Sequence, residues 1–427
     1  MANASIPAAG ESSPDVLVIG GGVIGASIAF ELAGRGLSIT LLERAPGLGR
    51  GCSGGNLGLL CPGHSTPLAT PESLKLGFRY LLDPAGPLYL RPRARLLPWL
   101  ARYVASCRPS HAERNVRAMR ELSTMSLARH ATLAEEGHET SFEQRGILTV
   151  CETDAGLESL HSEADANRRA GLNVDVLDGR EARQLEPALA PHVCGAAFYR
   201  DEAHCDGHRF VAAMAQAAES RGARLRTSVE LIALHRRNGR IHAVETTEGT
   251  LRSGSIVLAA GAWTARLAAT AQVFVPVEGG KGYHVELALR GGEPQIPALF
   301  VESRIAATPL AGRIRLGGTL ELAGLDLTVS QPRVDAIVRA AYRAFPGLIG
   351  REPTNVWRGL RPCSPDGVPI IGQAAEVENL ILATGHTHMG LALAPITGQL
   401  VAEILGGDLP SYDLDPIAPT RFTPLVG

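Results

Sequence analysis

A glycine-rich turn near the start of the chain has the spacing that binds the pyrophosphate of a dinucleotide. Residues 20–25 read Gly-Gly-Gly-Val-Ile-Gly, a G-x-G-x-x-G pattern. The first glycine allows a tight turn, the second lets a phosphate approach the backbone, and the third lets a helix pack closely on a strand. Free N–H groups at the start of that helix favour negative charge. We therefore expect a nucleotide site at Gly20, Gly22, Val23, Ile24 and Gly25.

An acidic residue stands where a dinucleotide site needs one. Glu43 follows Gly25 by 18 residues and closes the next predicted strand. Its carboxylate can accept hydrogen bonds from a ribose diol, which favours FAD or NAD over NADP. Arg44 is predicted to belong to the same site. These residues alone leave the choice between FAD and NAD open.

Alternating strands and helices must position this turn. The apolar run 15–19 predicts a buried strand, 24–35 a helix and 38–43 a second strand, which together form one βαβ unit. Residues 46–75 are rich in Gly, Pro and Ser and predict a loop. Glycine turns between the strand-like segments of 272–322 predict an antiparallel sheet. Further helices are predicted at 113–135, 152–170, 207–220, 331–344 and 395–405, further strands at 224–232, 255–260 and 379–383, and a hairpin at 240–250.

Composition excludes several classes of protein. The chain has 427 residues, and its 41 basic and 43 acidic side chains give a net charge of −2, unlike a nucleic-acid binder. No apolar run approaches the roughly 20 residues of a membrane-spanning helix. The seven cysteines are odd in number and lack C-x-x-C spacing, which predicts a cytoplasmic protein without a disulfide framework. Residues 1–13 lack the features of a signal peptide and predict a disordered tail.

Two further segments have suggestive compositions. His204-Cys-Asp-Gly-His208 contains residue types that bind metals, but no second ligand pair at zinc-like spacing accompanies it, so we expect no metal.

Residues 77–105 combine apolar, aromatic and basic side chains. This composition favours a core-facing helix pair with solvated arginines. The alternative is a peripheral contact with the inner membrane face, from which electrons would pass to a quinone.

Four later segments carry a family resemblance, in the order 51–58 (GCSGGNLG), 256–263 (IVLAAGAW), 357–372 (WRGLRPCSPDGVPIIG) and 385–398 (GHTHMGLALAPITG). Together with the glycine turn they resemble the D-amino acid oxidase family of flavoproteins, which includes glycine oxidase and the bacterial D-amino acid and D-hydroxyproline dehydrogenases. The resemblance covers about residues 15–406. It implies FAD as the cofactor.

The resemblance also implies how the cofactor is held. Small residues of 51–58 would wrap the flavin and pyrophosphate, and a helix N-terminus near Leu391 would stabilise negative charge at the pyrimidine edge of the flavin. The cysteine that attaches flavin covalently in sarcosine oxidases lies further upstream than Cys363, so non-covalent FAD is expected. The implied cofactor residues are Ser53, Gly54, Asn56, Leu57, Val229, Ala260, Gly261, Trp263, Gly359, Gly385, His386, Met389, Gly390, Leu391 and Thr397.

Three side chains are candidates for the substrate site. Arg361 matches the arginine that binds the substrate carboxylate in the resembling family, and its alternative is a structural salt bridge. His388 matches a second cationic side chain near the pocket, and its alternative is a capping or flavin-contacting histidine. In Lys281-Gly-Tyr-His284 strand alternation puts Tyr283 and His284 on opposite faces. We predict that Tyr283 donates its hydroxyl to the carboxylate.

One departure from the family pattern bears on the substrate. Oxidases of this family place a tyrosine facing the carboxylate in the strand where this chain reads Ser303-Arg-Ile-Ala-Ala-Thr308. The pocket wall is therefore expected to be more apolar and to suit a side chain or ring. The pattern resembles dehydrogenases that act on D-amino acids and on cyclic imino acids such as D-proline and hydroxyproline.

These observations together predict an α/β flavoprotein. A Rossmann-like FAD-binding domain (14–76, 200–270 and 352–406) interleaves with a substrate domain on a mixed or antiparallel sheet (77–199 and 271–351). The expected reaction is oxidative deamination, with hydride transfer from the α-carbon to flavin N5 and with quinone or oxygen as acceptor. The alternatives are a glycine- or sarcosine-type oxidase, an FAD-binding electron-relay subunit of a hetero-oligomer, and an NAD-dependent dehydrogenase. The oligomeric state stays open.

Overall fold

The computed structural model describes residues 13–80, 88–91, 93–291 and 294–422. Within these ranges the helices are α1 (Val23–Gly34), α2 (Pro71–Tyr80), α3 (Leu97–Ser106), α4 (Pro109–Glu135), α5 (Asp154–Arg169), α6 (Gly179–Leu185), α7 (Gly207–Ser220), α8 (Thr264–Ala269), α9 (Gln331–Ala344) and α10 (Ala394–Gly406). The strands are β1 (Val16–Ile19), β2 (Ile39–Glu43), β3 (Leu59–Leu60), β4 (Leu88–Leu90), β5 (Ile147–Cys151), β6 (Val174–Asp178), β7 (Gly195–Tyr199), β8 (Ala203–His204), β9 (Arg224–Thr227), β10 (Leu231–Arg237), β11 (Arg240–Thr246), β12 (Gly249–Leu251), β13 (Ser255–Leu258), β14 (Glu278–Ala288), β15 (Ala298–Phe300), β16 (Ala306–Leu310), β17 (Arg313–Leu322), β18 (Pro353–Cys363), β19 (Ile370–Gln373) and β20 (Leu380–Thr384). The predicted tail lies outside these ranges except for Ser13, as do residues 81–87 and 92 of the segment 77–105.

A six-stranded sheet carries the glycine turn. In the described part of the chain its order is β19-β20-β13-β1-β2-β9, and every neighbouring pair is parallel except β19 with β20. Successive side chains of β1 enter two different cores, with Val16 and Val18 on one face and Leu17 and Ile19 on the other. Burial on both faces explains why β1 reads as a continuous apolar run. The predicted βαβ unit and the α/β class are confirmed.

A second, mixed sheet has the order β18-β14-β17-β16-β15-β5-β7-β6 among the described residues, with β4 pairing beside β17. Its neighbouring strands are antiparallel except β15 with β5 and β17 with β4. Helix α9 covers one face, where Val334 and Ile337 share a core with Tyr283 and Val285 of β14. The other face of β14 carries Gly280, Gly282 and His284, because side chains alternate along a strand.

The strand β18 pairs with the second sheet. It hydrogen-bonds to β14 along its length and therefore belongs to the second sheet, whereas residues 352–406 were assigned to the cofactor domain. The next strand, β19, pairs with β20 in the first sheet. Cys363 is thus the last residue of the chain's strand in the second sheet before β19, and the domain boundaries stay predictions.

A few predicted elements differ from those observed. The strand predicted at 224–232 is two strands, because Ser228 adopts a φ of 60° and turns the chain between β9 and β10. Helix α2 begins at Pro71 inside the predicted loop 46–75. Helix α7 has the predicted bounds, and Asp206 caps it by accepting the N–H groups of residues 208 and 209.

Helix α3 lies in the segment with mixed apolar and basic composition. Trp99 is buried and packs beside Cys363, whereas Leu97 and Val104 are 63% and 51% exposed. The described residues contain no helix with the length and apolar character needed to cross a bilayer. Peripheral contact of this segment with a membrane stays an untested alternative.

Candidate active site

The glycine turn between β1 and α1 leaves no room for side chains. Gly20 has a φ of 111°, and a Cβ there would lie 2.5 Å from the carbonyl oxygen of Ala259. A Cβ at Gly25 would lie 1.8 Å from the carbonyl oxygen of Gly20. Helix α1 begins at Val23, whose N–H donates to the Ser53 hydroxyl at 3.0 Å. The start of the helix therefore meets the segment 51–58 directly.

A cavity of about 520 Å³ opens where β1, β2 and β13 end. The carboxyl ends of parallel strands are the usual ligand position in such sheets. Residues that the sequence did not indicate also line the cavity, among them Arg50, Cys52 and Thr387. The predicted residues that line it are Gly20, Gly22, Val23, Ile24, Glu43, Arg44, Ser53, Asn56, Val229, Ala260, Gly261, Trp263, Gly359, His386, Gly390 and Leu391.

The predicted cofactor residues that do not line the cavity support the loops around it. Gly25 provides the close helix packing, and Gly54 is crowded by the His208 imidazole, 2.3 Å from its would-be Cβ. Leu57 packs against Gly317 of β17, where a Cβ would lie 2.8 Å from a methyl group of Leu57. The remaining members of this group, Gly385, Met389 and Thr397, are buried in the C-terminal loop and helix.

Glu43 and its neighbours form the end of the cavity nearest β2. The Glu43 carboxylate accepts the N–H groups of Gly21 and Ala45, each at 2.8 Å, which fixes its orientation. The Arg44 guanidinium stacks on the Trp263 ring at 3.9 Å from the ring centroid. Val229 donates its N–H to the Glu43 carbonyl at 3.0 Å. Three segments that are distant in sequence, around Glu43, Val229 and Trp263, therefore line this end of the cavity together.

Replacing Glu43 by glutamine should weaken FAD binding by roughly tenfold, because an amide cannot accept both N–H groups and hydrogen bonds to a charged acceptor contribute about 1.5–3 kcal/mol. Fluorescence titration of the apoprotein with FAD measures the change. Glu230→Gln, at an exposed residue of the same cavity, is the matched control and should bind FAD as the unmodified chain does. Equal affinities for Glu43→Gln and the control would contradict the role of Glu43.

The segments 51–58 and 385–398 meet over the cavity. The Asn56 amide donates to the carbonyl of His388 at 3.3 Å, and the His386 imidazole contacts the Thr397 hydroxyl at 3.0 Å through Nε2. Helix α10 begins at Ala394. The N-terminus predicted near Leu391 therefore lies three residues later, because residues 390–393 form turns before the helix starts.

Arg361 lies flat on the face of the second sheet that α9 leaves uncovered. A Cβ at Gly282 would lie 2.1 Å from its Nη1, so only glycine leaves space for the guanidinium. Nη1 donates to the carbonyl of Thr319 at 2.7 Å. The side chain is half-buried, and no carboxylate in the described ranges pairs with it. The alternative of a structural salt bridge is therefore not observed among these residues.

His388 is the second candidate near Arg361. The residue is exposed, and desolvation by nearby protein atoms and, secondly, the charge of Arg361 lower the pKa of its imidazole. A lowered pKa favours the neutral imidazole at pH 7, and the match of His388 to a second cationic side chain stays a prediction. A neutral imidazole can accept a hydrogen bond that a cation cannot.

Tyr283 does not occupy its predicted position. Its side chain is buried beneath α9, where its hydroxyl accepts the N–H of Ser330 at 3.2 Å and donates to the carbonyl of Thr328 at 3.4 Å. The alternation argument was right, but the choice of face was wrong. His284 faces the cofactor segment instead, since its Nδ1 contacts the Gly55 carbonyl at 2.9 Å and its ring stacks on Trp357.

Comparison with known proteins identifies the family. A family model described as FAD dependent oxidoreductase (DAO) matches residues 15–404. The chain belongs to this family. A D-amino acid dehydrogenase of Methylobacterium radiotolerans is 34% identical over 417 residues, which cover 95% of this chain and 99% of that relative.

Two further matches extend over nearly whole chains. A D-amino-acid oxidase of Bradyrhizobium diazoefficiens is 32% identical over 422 residues, which cover 95% of this chain and 98% of that relative. A crystal structure of glycine oxidase from Geobacillus kaustophilus has a TM-score of 0.79 and 27% identity, and covers 96% of this chain and 100% of that one. This chain is accordingly an FAD-dependent oxidoreductase with the DAO fold.

The residues present fit the FAD of this family. The cavity runs from the Arg44–Trp263 stack, past the start of α1, to the segment 385–391. A Cβ at Gly22 would lie 2.9 Å from the Ser53 hydroxyl, so glycine leaves this part of the cavity wall open without moving Ser53. We propose that the ribose end lies near Glu43, the pyrophosphate near Gly22 and Ser53, and the flavin near His386.

The cysteines near the cavity favour non-covalent attachment of FAD. Burial raises the pKa of Cys363 to about 12 and also raises that of Cys52, so neither is a ready nucleophile at pH 7. Cys363 is buried and does not line the cavity. The seven cysteines are free thiols.

Helix α4 supports the segment over the cavity through His130. This side chain is fully buried, with Nε2 bonded to the Leu391 carbonyl at 3.1 Å and Nδ1 without a partner. Burial lowers the pKa of His130 to about 4. Between pH 6.5 and 4 the unfolded chain therefore binds a proton that the folded protein does not. The free energy of unfolding falls as pH drops through this window, by up to about 1.4 kcal/mol per pH unit.

His130→Gln should accordingly flatten the loss of stability on acidification. Between pH 7 and 5 the variant should lose about 2 kcal/mol less than the unmodified chain. Urea unfolding at pH 7, 6 and 5 measures this difference. His161→Gln, at an exposed histidine of α5, is the control. Parallel pH profiles for His130→Gln and the unmodified chain would show that His130 does not govern acid stability.

Proposed function

We propose that the protein oxidises D-amino acids, including cyclic imino acids of the D-proline and hydroxyproline type, and that Arg361 binds their carboxylate. The observation that carries this proposal is a half-buried guanidinium without a carboxylate partner among the described residues, on the sheet face turned to the cofactor segment. Such a group favours an anionic ligand, and its planar fork matches a carboxylate. Full-length relatives named D-amino acid dehydrogenase and D-amino-acid oxidase support the substrate class.

The chain's own side chains bind and orient the substrate. Arg361 fixes the carboxylate, which leaves the α-carbon free to turn toward the flavin. A neutral His388 imidazole can accept a hydrogen bond from the substrate amino group. When bound, FAD supplies the acceptor for two electrons. The Cα–H bond and one N–H bond are lost, and the resulting imino acid hydrolyses to a keto acid, whereas a cyclic substrate yields a cyclic imine.

Anaerobic titration of the purified holoprotein tests this proposal. We expect the visible flavin band to bleach with D-proline, cis-4-hydroxy-D-proline or other D-amino acids, and not with their L-enantiomers. A holoprotein that no amino or imino acid bleaches would overturn the proposed substrate class and favour an electron-relay subunit. Readmission of air then distinguishes the acceptors, since a dehydrogenase stays reduced until a quinone is added.

A glycine- or sarcosine-type oxidase is the second candidate, favoured by the likeness to glycine oxidase over the whole chain. Glycine and sarcosine therefore belong in the same titration. Bleaching by these small substrates, with rapid reoxidation in air, would support this candidate over the first. A bulky D-amino acid that bleaches faster than glycine would oppose it.

A further inference from the structure

Thr319 has a backbone conformation that a threonine rarely adopts. It lies within β17 and has a φ of 66°. The left-handed region is sterically costly for a β-branched residue, because Cβ and its substituents crowd the backbone. Such strain persists only where surrounding structure enforces it, and it is concentrated at functional sites.

The two β-branched residues with positive φ in the described ranges both hold the segment around Arg361. The carbonyl of Thr319 accepts Nη1 of Arg361 at 2.7 Å. The N–H of Thr387, which has a φ of 52°, donates to the carbonyl of Pro362 at 2.9 Å. One strained threonine thus bonds the Arg361 side chain, and the other bonds the backbone of the next residue, Pro362.

A β-bulge explains how Thr319 reaches Arg361. The pairing of β14 with β17 shifts register between Lys281, which faces Glu321, and Tyr283, which faces Gly318. Two residues of β17, Thr319 and Leu320, therefore stand opposite the single residue Gly282. A bulge of this kind bends the strand and redirects its peptide groups. It turns the Thr319 carbonyl toward the guanidinium that lies over Gly282.

The hydroxyl of Thr319 is enclosed but has no hydrogen-bond partner. Its carbonyl oxygen, in contrast, is already bonded to Arg361. Both oxygens belong to the residue of β17 that holds the guanidinium, so the unpartnered hydroxyl lies in the part of the strand next to Arg361. Buried polar atoms without a partner are uncommon in folded proteins, and a bound ligand is one way to satisfy them.

We propose that Thr319 is a substrate-contacting specificity residue, whose carbonyl fixes Arg361 and whose hydroxyl donates a hydrogen bond to the carboxylate that Arg361 binds. This inference rests on the proposed carboxylate-binding role of Arg361. The hydroxyl and the guanidinium then act on one ligand group. Thr319 contributes to binding, so its loss should raise KM more than it lowers kcat.

Three substitutions of the holoprotein separate the hydroxyl from the backbone strain. Thr319→Val removes the hydroxyl and keeps the β-branched shape, Thr319→Ser keeps the hydroxyl, and Thr319→Gly removes both the hydroxyl and the strain. The control is Thr140→Val, which removes another buried, unpartnered hydroxyl that lies between α4 and β5. Acetate and benzoate are the carboxylate probes, and their dissociation constants are read from changes in the flavin spectrum.

We expect Thr319→Val to weaken probe binding about tenfold or more, as for the loss of a hydrogen bond to a charged group. Thr319→Ser should stay within about threefold of the unmodified chain. Thr319→Gly should bind as weakly as Thr319→Val but melt at a higher temperature, because the left-handed strain is relieved. A merely structural threonine would not give this combination of weaker binding and higher stability.

Several outcomes would overturn the inference. Unchanged probe affinity in Thr319→Val or Thr319→Gly would do so, and so would a wild-type flavin spectrum that neither probe perturbs. If Thr319→Val does not retain FAD, the comparison of Thr319→Ser with Thr319→Gly decides. Bleaching of the unmodified holoprotein by amino acids tests the proposed function separately. Weak probe binding in Thr319→Val without any such bleaching would support the Thr319 contact and reject the proposed function.

Discussion

Replacement of Arg361 by alanine is expected to lower kcat/KM for the amino acid substrate by roughly 10²- to 10³-fold, because removing one partner of a buried charge pair costs about 2–5 kcal/mol. The guanidinium is half-buried, and its Nη1 contacts only a backbone carbonyl among the described groups. Its remaining N–H donors are therefore available to the carboxylate. The effect should appear in both KM and kcat, since the same contact orients the α-carbon.

Steady-state kinetics with the best substrate from the anaerobic titration measure this effect. Arg361→Lys keeps the charge but lacks the planar fork, so it should recover only part of the activity. Arg339→Ala, at an exposed arginine of α9, is the control for the loss of an arginine as such. Normal FAD content with normal kcat/KM in Arg361→Ala would reject the assignment of Arg361 to the substrate.

Replacement of Gly25 by alanine should abolish FAD binding. The new Cβ would lie 1.8 Å from the carbonyl oxygen of Gly20, which is backbone and cannot rotate away. Helix α1 would have to move from β1, and the turn between them would change shape. Overpacking of this kind typically costs about 1–3 kcal/mol, and more where backbone must shift. We expect less than about one tenth of the normal FAD content after purification.

Two further glycine variants provide a graded comparison. Gly36→Ala adds a Cβ in open space at a φ of 79°, so it should cost about 1 kcal/mol of stability and retain FAD. At Gly22 the new Cβ would lie 2.9 Å from the Ser53 hydroxyl, a side-chain group that can rotate, so FAD affinity should fall by an intermediate amount. Absorbance at the flavin band and circular dichroism separate loss of FAD from loss of fold. Full FAD content in Gly25→Ala would contradict the proposed packing role.

The residues that line the cofactor cavity could largely be predicted from the sequence. The glycine turn and the acid at the end of β2 are local features. A single βαβ unit, formed by residues that are close in sequence, is enough to position them. The observed contacts of Glu43 with the N–H groups of Gly21 and Ala45 could not be read from spacing, but they link the acid to the turn that spacing identified. The helix predicted at 395–405 is observed at Ala394–Gly406, so only the N-terminus expected near Leu391 lies three residues later than expected.

The substrate half depended on the tertiary structure. Strand alternation predicted that Tyr283 and His284 face opposite ways, yet which face is open depends on where α9 packs, some fifty residues later in the chain. Arg361 was identified by resemblance. Only the tertiary structure shows that its guanidinium lies over Gly282 and bonds the Thr319 carbonyl, without a carboxylate partner among the described residues.

The sequence by itself therefore determined the fold class and the nucleotide turn, since these follow from short-range periodicity and glycine spacing, and the resemblance of four later segments indicated the family. Only the tertiary structure decided that β18 belongs with β14 and that a bulge turns Thr319 toward Arg361. The physical reason is that register and bulges arise from pairing between distant strands, where a shift of one residue reverses the face of every side chain.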